Sequence, residues 1–396
     1  MIEAEELRLR EYDARLRVAR LRQEAYGPDA EGDLDELARA EHDLSVLAAQ
    51  SAAARTKDAV VLDTRDSSGL LGAASTGLEA TARVRMSHVP TAFCHLLDVR
   101  ESPLVTMSVH RTNERETRRL RVSCTVEGYS AAAIDTVELD SGRTRSIDLL
   151  PTFYPSALAA VTELTRATVS VRVEDLDTRL TEVERTTPIW LLARDTAPTQ
   201  TLDPSTGAVV DLTRYLGAFV TPHTREVIAF TRQVVERHPD RMLLGYQGSA
   251  EAVEGQVRAV YETLAADQRM AYVNSVISYN PEEGAAGQRV RLPRESLEHG
   301  LMNCLDGTVL FASVLENLSL QPEIVLVPGH ALVGWLSWPD TGSWAHLDTT
   351  VMGPDRYESA RKRGDQVVAR YSAGDGALVR RWPIRRLRGM GITPME

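Results

Sequence analysis

The stretch NCLDGTVLFASVLENL, residues 303–318, carries apolar side chains at three- and four-residue steps from Leu305 onward. This spacing predicts a helix that ends near Ser319 and Pro322. Cys304 then lies at or just before the first helical turn. The unpaired N–H groups and the dipole at that end of a helix favour a thiolate over a thiol, and the same N–H groups can receive a developing oxyanion.

Two short extended runs after this helix carry a histidine and an aspartate. Residues 323–327 are β-branched, Pro328-Gly329 turns the chain, His330 begins a second run, and a third run ends at Asp348. If these runs pair as antiparallel neighbours, His330 lies beside Asp348. The carboxylate would then fix the imidazole tautomer while the other ring nitrogen faces the thiol. The pattern indicates a nucleophile, a base and an orienting acid.

Two residues nearby compete for these roles. Asp306 lies in the first turn of the predicted helix and is better explained as a helix cap. His346 is expected to point to the opposite strand face from Leu347. A single cysteine at a helix start or a single histidine after Pro-Gly is more often structural than catalytic, so the joint arrangement carries the hypothesis.

Composition and charge limit the class of protein. The chain has 396 residues, 43% hydrophobic and 26% charged, as in globular proteins, and its length predicts roughly two to three domains. A net charge of −11 argues against nucleic-acid binding. The basic run at residues 380–389 is local and is expected to be a salt-bridged or solvated surface.

The absence of targeting, membrane and paired-cysteine patterns predicts where the protein is located and that its cysteines are reduced. It has no uncharged apolar run of about 18 residues and no secretory signal, which predicts a cytoplasmic protein without a membrane partner. Cys94, Cys124 and Cys304 show no CxxC spacing, so neither a disulfide framework nor a zinc site is expected. Cys124 alternates with valines and should face a core, and Cys94 is also expected to be buried. Neither a metal nor an organic cofactor is implied.

Periodicity divides the chain into four parts. Residues 1–56 read as a helical hairpin, which must pack on the rest of the chain or on a partner, and residues 57–81 read as a Ser/Gly/Ala-rich linker. Residues 82–196 contain about six short alternating runs and predict an antiparallel β-sandwich of immunoglobulin-like size. Residues 197–396 mix helices with strands and contain the candidate site.

The segment NCLDGTVLFASVLENLSLQPEIVLVPGHALVGW, followed by LDTT, resembles bacterial members of the transglutaminase-like cysteine protease superfamily. The similarity extends over residues 188–394 and includes WLLARD, LLGYQG and IRRLRGMGITP. The resemblance implies an α+β fold: a papain/transglutaminase-like catalytic domain preceded by an immunoglobulin-like β-sandwich, here with an N-terminal helical hairpin.

Residue by residue, the resemblance matches Cys304 to the family's nucleophile, His330 to its base and Asp348 to its third member. Two positions depart from the family pattern. Leu332 stands where many relatives have an aromatic residue, and Asp348 stands where the nearest group often has glutamate, so closer strands are needed. Gln288 and Tyr272 are candidate oxyanion donors, although the sequence favours a packing or hydrogen-bonding structural role for each.

The leading hypothesis is an intracellular thiol hydrolase that cleaves a protein or peptide amide through a thioester on Cys304. Acyl transfer to an amine, or deamidation of a side-chain amide, is an alternative from the same chemistry. A non-catalytic binding or assembly module is an alternative from another class. The hairpin and the β-sandwich would present substrates or protein partners, and a role in a bacterial defence system is expected by analogy alone.

Overall fold

The structure is a computed structural model of the chain. It describes residues 78–111, 117–202, 209–266, 270–273, 279–280, 285–352, 356–373 and 379–395, together with single positions between 7 and 50. The protein is a mixed α+β structure with several sheets. It divides into two compact units, one formed by Ala59–Thr196 and the other by Met1–Asp58 with Ala197–Met395.

The unit Ala59–Thr196 is built mainly from strands. Its described elements are β1 (Leu78–Val84), β2 (His88–Val89), β3 (Val105–Arg111), β4 (Arg118–Val126), β5 (Ala133–Leu139), β6 (Thr144–Leu149), α1 (Pro155–Ala159), β7 (Thr165–Asp175) and β8 (Leu180–Leu191). Among these residues the strands form one sheet of order β1-β3-β6 and another of order β2-β8-β7-β4-β5.

One hydrophobic core is shared by both sheets. Alternate residues of β3 and β4 are buried, among them Met107 and Val122, as expected for strands with one covered face. Cys124 is fully buried in this core, and burial raises the pKa of its thiol to about 12. Burial, only partly offset by Arg194, likewise raises the pKa of Cys94 to about 12. The core position predicted for Cys124 is therefore confirmed, whereas Cys94 is only half-buried and its Sγ donates to the carbonyl oxygen of Pro90 at 3.3 Å.

The predicted linker ends earlier than expected. Strand β1 begins at Leu78, inside the range 57–81, and pairs with β3 from Leu78 opposite Arg111 to Val84 opposite Val105. Glycine, alanine and threonine around this point give little strand signal. Pairing with a strand far along the chain overrides that weak local preference. The rest of the predicted linker, residues 57–77, lies outside the described residues.

The described positions between 7 and 50 are helical apart from Asp33. Val18 and Leu21 bury their side chains against Leu37 and Ala40 in a small apolar cluster. This contact is what two amphipathic helices joined by a turn require. The binding of a partner by this segment stays a prediction.

The second unit contains the candidate site. Its described elements are β9 (Thr196–Leu202), β10 (Val209–Asp211), α2 (Arg225–Arg237), α3 (Ala250–Ala266), β11 (Ala271–Tyr272), β12 (Tyr279–Asn280), β13 (Ala285–Arg289), α4 (Pro293–His299), β14 (Leu301–Met302), α5 (Cys304–Asn317), β15 (Pro322–Val327), β16 (His330–Leu336), β17 (Trp344–Leu347), α6 (Tyr357–Ala373), β18 (Arg380–Pro383) and α7 (Ile384–Gly389).

Helix α5 is the centre of this unit. Its residues 305–315 are all buried, and it packs against β15 and β16. The polar residues on it are satisfied internally: Ser313 Oγ donates to the carbonyl oxygen of Val309 at 2.7 Å and accepts from the N–H of Thr221 at 2.9 Å. A helix enclosed on every side is held rigidly, which fixes its first residue in place.

The sheet beside α5 has the strand order β17-β16-β15-β18, with antiparallel neighbours throughout. Val327 pairs with His330 across the first turn, and Val333 pairs with Leu347 on the next strand. The antiparallel pairing predicted from the sequence is therefore confirmed. The end of β17 lies next to the start of β16.

The basic run at residues 380–389 is paired with acidic side chains. Arg380 forms an ion pair with Asp211, and Arg388 binds both carboxylate oxygens of Glu316 at 2.9 and 3.0 Å. Arg388 also donates to the carbonyl oxygen of Val220 at 2.8 Å. The expectation of a salt-bridged surface is confirmed for these arginines.

Helix α6 crosses β17 at close range, and Gly364 makes this possible. A Cβ atom on Gly364 would lie 2.6 Å from the carbonyl carbon and oxygen of His346. Backbone atoms cannot move aside cheaply, so a larger residue would push the helix from the strand.

Replacing Gly364 by alanine should therefore destabilise this unit by about 2–3 kcal/mol, because overpacking outweighs the gain in helix propensity. Gly255 in α3 is a matched control, since its added Cβ would meet only His238 Nε2 at 3.8 Å. Gly255→Ala should stabilise by about 0.5–1 kcal/mol. Urea unfolding of both variants measures the difference, and equal shifts for the two would contradict the close approach.

Candidate active site

The first turn of α5 is held by a reciprocal cap. Asn303 Oδ1 accepts from the N–H groups of Leu305 and Asp306, both at 2.8 Å, and Asp306 Oδ2 accepts from the N–H of Asn303 at 3.0 Å. Arg291 donates to both oxygens of Asp306 at 2.8 Å. Asp306 is therefore the helix cap that the sequence indicates. The cap places Cys304 at the first helical position.

This cap changes which N–H groups are available to a substrate. Asn303 Oδ1 already occupies the N–H groups of Leu305 and Asp306. Of the first three N–H groups of α5, that of Cys304 is the one for which the described residues show no acceptor. The sequence predicted several oxyanion donors at the helix start. The N–H of Cys304 is the candidate that remains among these three.

His330 is placed by a two-residue turn. Pro328 and Gly329 connect β15 to β16, and Gly329 has a φ of +71°, a value that glycine adopts without strain. The turn brings His330 opposite Val327, at the first position of β16. Only 1% of the His330 side chain is exposed.

Asp348 follows the last residue of β17 and is completely buried. Its Oδ1 lies 3.2 Å from His330 Nε2 and accepts from the N–H and the hydroxyl of Thr350 at 3.0 and 2.6 Å. Its Oδ2 lies 3.0 Å from Arg363 Nε. Both cations lie within ion-pair distance of the carboxylate. The aspartate reaches the histidine despite its short side chain.

The His330 ring contacts both Asp348 and Cys304. Burial favours the neutral ring, but the charge and hydrogen bond of Asp348, together with a hydrogen bond from Cys304, outweigh burial and raise the pKa of His330 from 6.5 to about 9. Because Nε2 faces the carboxylate, Nδ1 is the nitrogen on the side of the thiol. At neutral pH the ring is an imidazolium between two groups that can carry negative charge.

Asp348 stays ionised in spite of its burial. Desolvation is the largest effect and raises its pKa, yet His330, Arg363 and the Thr350 hydroxyl together hold the pKa of Asp348 well below its ordinary value. The structure therefore brings Cys304, His330 and Asp348 together in that order, as the sequence predicts.

His346 does not take part in this arrangement. Its Nδ1 lies 2.9 Å from Asp365 Oδ1, and its Nε2 lies 3.4 Å from Glu323 Oε1 and 3.3 Å from Arg381 Nη2. Burial lowers the pKa of His346, but the contacts with Asp365 and Glu323 raise it above 6.5 overall. Both ring nitrogens are engaged by charged groups, so neither can accept a proton from Cys304.

Sequence reasoning missed three residues that support the site: Gly307, Thr350 and Arg363. A Cβ on Gly307 would lie 2.8 Å from Thr349 Cβ, so this glycine lets the segment after β17 approach α5. A glycine inside a helical pattern is a recognisable signal of close approach. Thr350 follows an aspartate in a turn motif, which is a weaker signal. Arg363 is one of several arginines on α6 and gives no signal of its own.

The two candidate oxyanion donors lie on different strands. Tyr272 is half-buried on β11 and pairs with Met302, two residues before Cys304. Gln288 is half-buried on β13, in the chain segment that leads to Arg291 and the cap of α5. The oxyanion role of both residues stays a prediction.

Among the residues that the structure describes, no group of three or more His, Cys, Asp or Glu side chains could hold a metal ion. None of the helices described is both long and apolar enough to cross a bilayer.

Comparisons with known proteins add little to this geometry. No protein-family model matches the chain, and no curated protein sequence matches it. Among solved structures, a FixG-related protein from Vibrio parahaemolyticus is similar over 28% of this chain and 94% of its own, with 10% identity and a TM-score of 0.21. Similarity at this level carries no argument about fold or function, so the candidate site rests on its own contacts.

Replacing Asp348 by asparagine should lower the pKa of His330 from about 9, because burial remains while the carboxylate that opposes it is removed. Asp365→Asn is the matched control: it should lower the pKa of His346 and leave that of His330 at about 9. NMR titration of the imidazole ring signals measures both values. An unshifted His330 in Asp348→Asn would show that this carboxylate does not control the ring.

Proposed function

We propose that this protein is a thiol hydrolase that cleaves a protein or peptide amide through an acyl-enzyme on Cys304. The contact of one buried imidazole with both Cys304 and Asp348 carries the proposal. A thiol at a helix start, a base on a neighbouring strand and an acid that orients the base are the parts needed for nucleophilic catalysis. A separate buried helix cap, Asp306, is not needed for that chemistry and serves the fold instead.

The first half-reaction uses the imidazolium as an acid. The Cys304 thiolate attacks the carbonyl carbon, a C–S bond forms, and the carbonyl electron pair moves to oxygen, where the Cys304 N–H can donate. The tetrahedral intermediate then loses its amine: the C–N bond breaks as His330 gives its proton to the leaving nitrogen. A thioester and a neutral imidazole remain.

The second half-reaction uses the neutral imidazole as a base. His330 takes a proton from water as the water oxygen attacks the thioester carbon. The C–S bond breaks, the carboxylic acid leaves, and the thiolate and imidazolium are restored. Asp348 keeps the ring oriented through both halves without accepting its proton.

The fold supports the same proposal. A cysteine-led helix enclosed by the unit, followed by an antiparallel β15-β16-β17 sequence with the base and acid at adjoining strand ends, is what a transglutaminase-like domain of papain type requires. We propose this assignment for the unit Ala197–Met395, and an immunoglobulin-like sandwich for the two sheets of Ala59–Thr196.

Alkylation of Cys304 by iodoacetamide tests the nucleophile without a known substrate. An imidazole beside a thiol activates the sulfur as a nucleophile. We expect Cys304 of the wild type to be labelled at pH 6 and His330→Ala to be labelled at least about 10-fold more slowly there, because the imidazole is lost. Intact-protein mass spectrometry follows the added mass.

Cys94 and Cys124 serve as internal controls, since burial raises both pKa values to about 12. Cys304→Ser should therefore take up no label under the same conditions. Equal rates for wild type and His330→Ala would remove the catalytic proposal and leave a binding module with this fold.

Mass spectrometry of an unfolded generic substrate such as casein identifies the acyl acceptor. New amino termini that depend on Cys304 are the result expected of a hydrolase. A gain of about 1 Da at glutamine, or incorporation of an added primary amine, would replace hydrolysis of the backbone by deamidation or acyl transfer on the same thioester.

A further inference from the structure

One turn of α6 holds the end of β17 through both main-chain and side-chain groups. The N–H of Asp348 donates to the carbonyl oxygen of Ala360 at 3.1 Å. Arg361 Nη1 donates to the carbonyl oxygen of His346 at 2.9 Å, and Asp365 Oδ1 accepts from the N–H of His346 at 3.1 Å. These contacts hold the end of β17, and Asp348 directly after it, against α6.

Within this turn, Arg363 is the residue that reaches the carboxylate of Asp348. Its Nε lies 3.0 Å from Oδ2, while Oδ1 faces His330 Nε2 and Thr350. Each oxygen of the buried carboxylate therefore has its own cation. The Arg363 side chain is 23% exposed, so its charge keeps some contact with solvent, whereas the Asp348 side chain has none.

We propose that Arg363 is a positioning residue that provides Asp348 with a permanent counter-charge and so lets His330 give up its proton. The inference rests on the proposed function, because it concerns the half of the cycle in which the ring is neutral. Without Arg363, Asp348 would at that stage be a buried carboxylate with no cation beside it. It would then compete with the leaving group of the substrate for the proton of His330. A guanidinium does not deprotonate in this pH range, so Arg363 maintains the pairing throughout.

Among the described residues, two titratable groups contact His330 directly: the Cys304 thiol of α5 and the Asp348 carboxylate that follows β17. Arg363, from α6, lies behind that carboxylate and acts on the ring through it. A positive charge at this place disfavours the imidazolium, so its removal should strengthen the binding of the ring proton.

Arg361 provides a matched control on the same helix. Its side chain is 21% exposed, close to the 23% of Arg363. It binds Glu254, Asp365 and the His346 carbonyl oxygen instead of the carboxylate of Asp348. Loss of Arg361 should weaken the packing of α6 on β17 without removing the counter-charge of Asp348.

The experiment is an NMR titration of the His330 ring in the full-length chain, with the signal assigned by its absence in His330→Gln. Arg363→Gln and Arg363→Met, two uncharged variants, should each raise the pKa of His330 by about 0.5–1 unit. Arg363→Lys, which keeps the charge, and Arg361→Gln should both titrate as wild type. Thermal unfolding of every variant is measured alongside.

The inference is overturned if the uncharged Arg363 variants lower the pKa of His330, or leave it unchanged while only the unfolding temperature falls. A rise of equal size in the pKa of His330 in Arg363→Lys or Arg361→Gln would also overturn the inference. The positive charge of Arg363 would then not be what lowers the pKa of His330. The labelling assay separates this outcome from failure of the proposed function: rapid, His330-dependent labelling of Cys304 with an unshifted Arg363→Gln titration removes this inference alone.

Discussion

The arrangement around the site follows from one constraint, the complete burial of the Asp348 carboxylate. A lone carboxylate in a protein interior is costly, so it is tolerated only with cations and hydrogen-bond donors on every side. His330, Arg363 and Thr350 meet that requirement from three separate chain segments. Each of those segments must be held in place, and the helices and strands of the unit serve that purpose. Burial also strengthens the electrostatic effect of the carboxylate on the histidine.

Two glycines in helices allow the segments to come close enough. Gly307 lets the chain after β17 lie against α5, and Gly364 lets α6 lie against β17. In both places a Cβ would meet atoms at less than 3 Å. A glycine in a helix costs roughly 1 kcal/mol relative to alanine. Here that cost is offset by the contacts that place Asp348 between α5 and α6. The position of Asp348 depends on packing at both points.

Local pattern predicted those parts of the site that are set by neighbours in sequence. Apolar spacing located α5, alternation and Pro-Gly located β15 and β16, and antiparallel pairing followed from the short turn. The start of β1 at Leu78 and the pairing of Arg363 with Asp348 were not predictable in this way. Both depend on tertiary contacts with a segment that is distant in sequence. The loss of two oxyanion donors to Asn303 depends on a side-chain rotamer, which no periodicity encodes.

The two buried histidines show why a shifted pKa alone does not identify a catalytic base. His330 and His346 are both buried, both contact a carboxylate, and both have raised pKa values. His346 has acidic groups near both nitrogens and Arg381 beside one of them, so its proton has no route to a reacting atom. His330 has a carboxylate on one side and a thiol on the other. Under the proposed function, the second partner of the ring therefore distinguishes the two histidines: it is a thiol for His330, and Glu323 with Arg381 for His346.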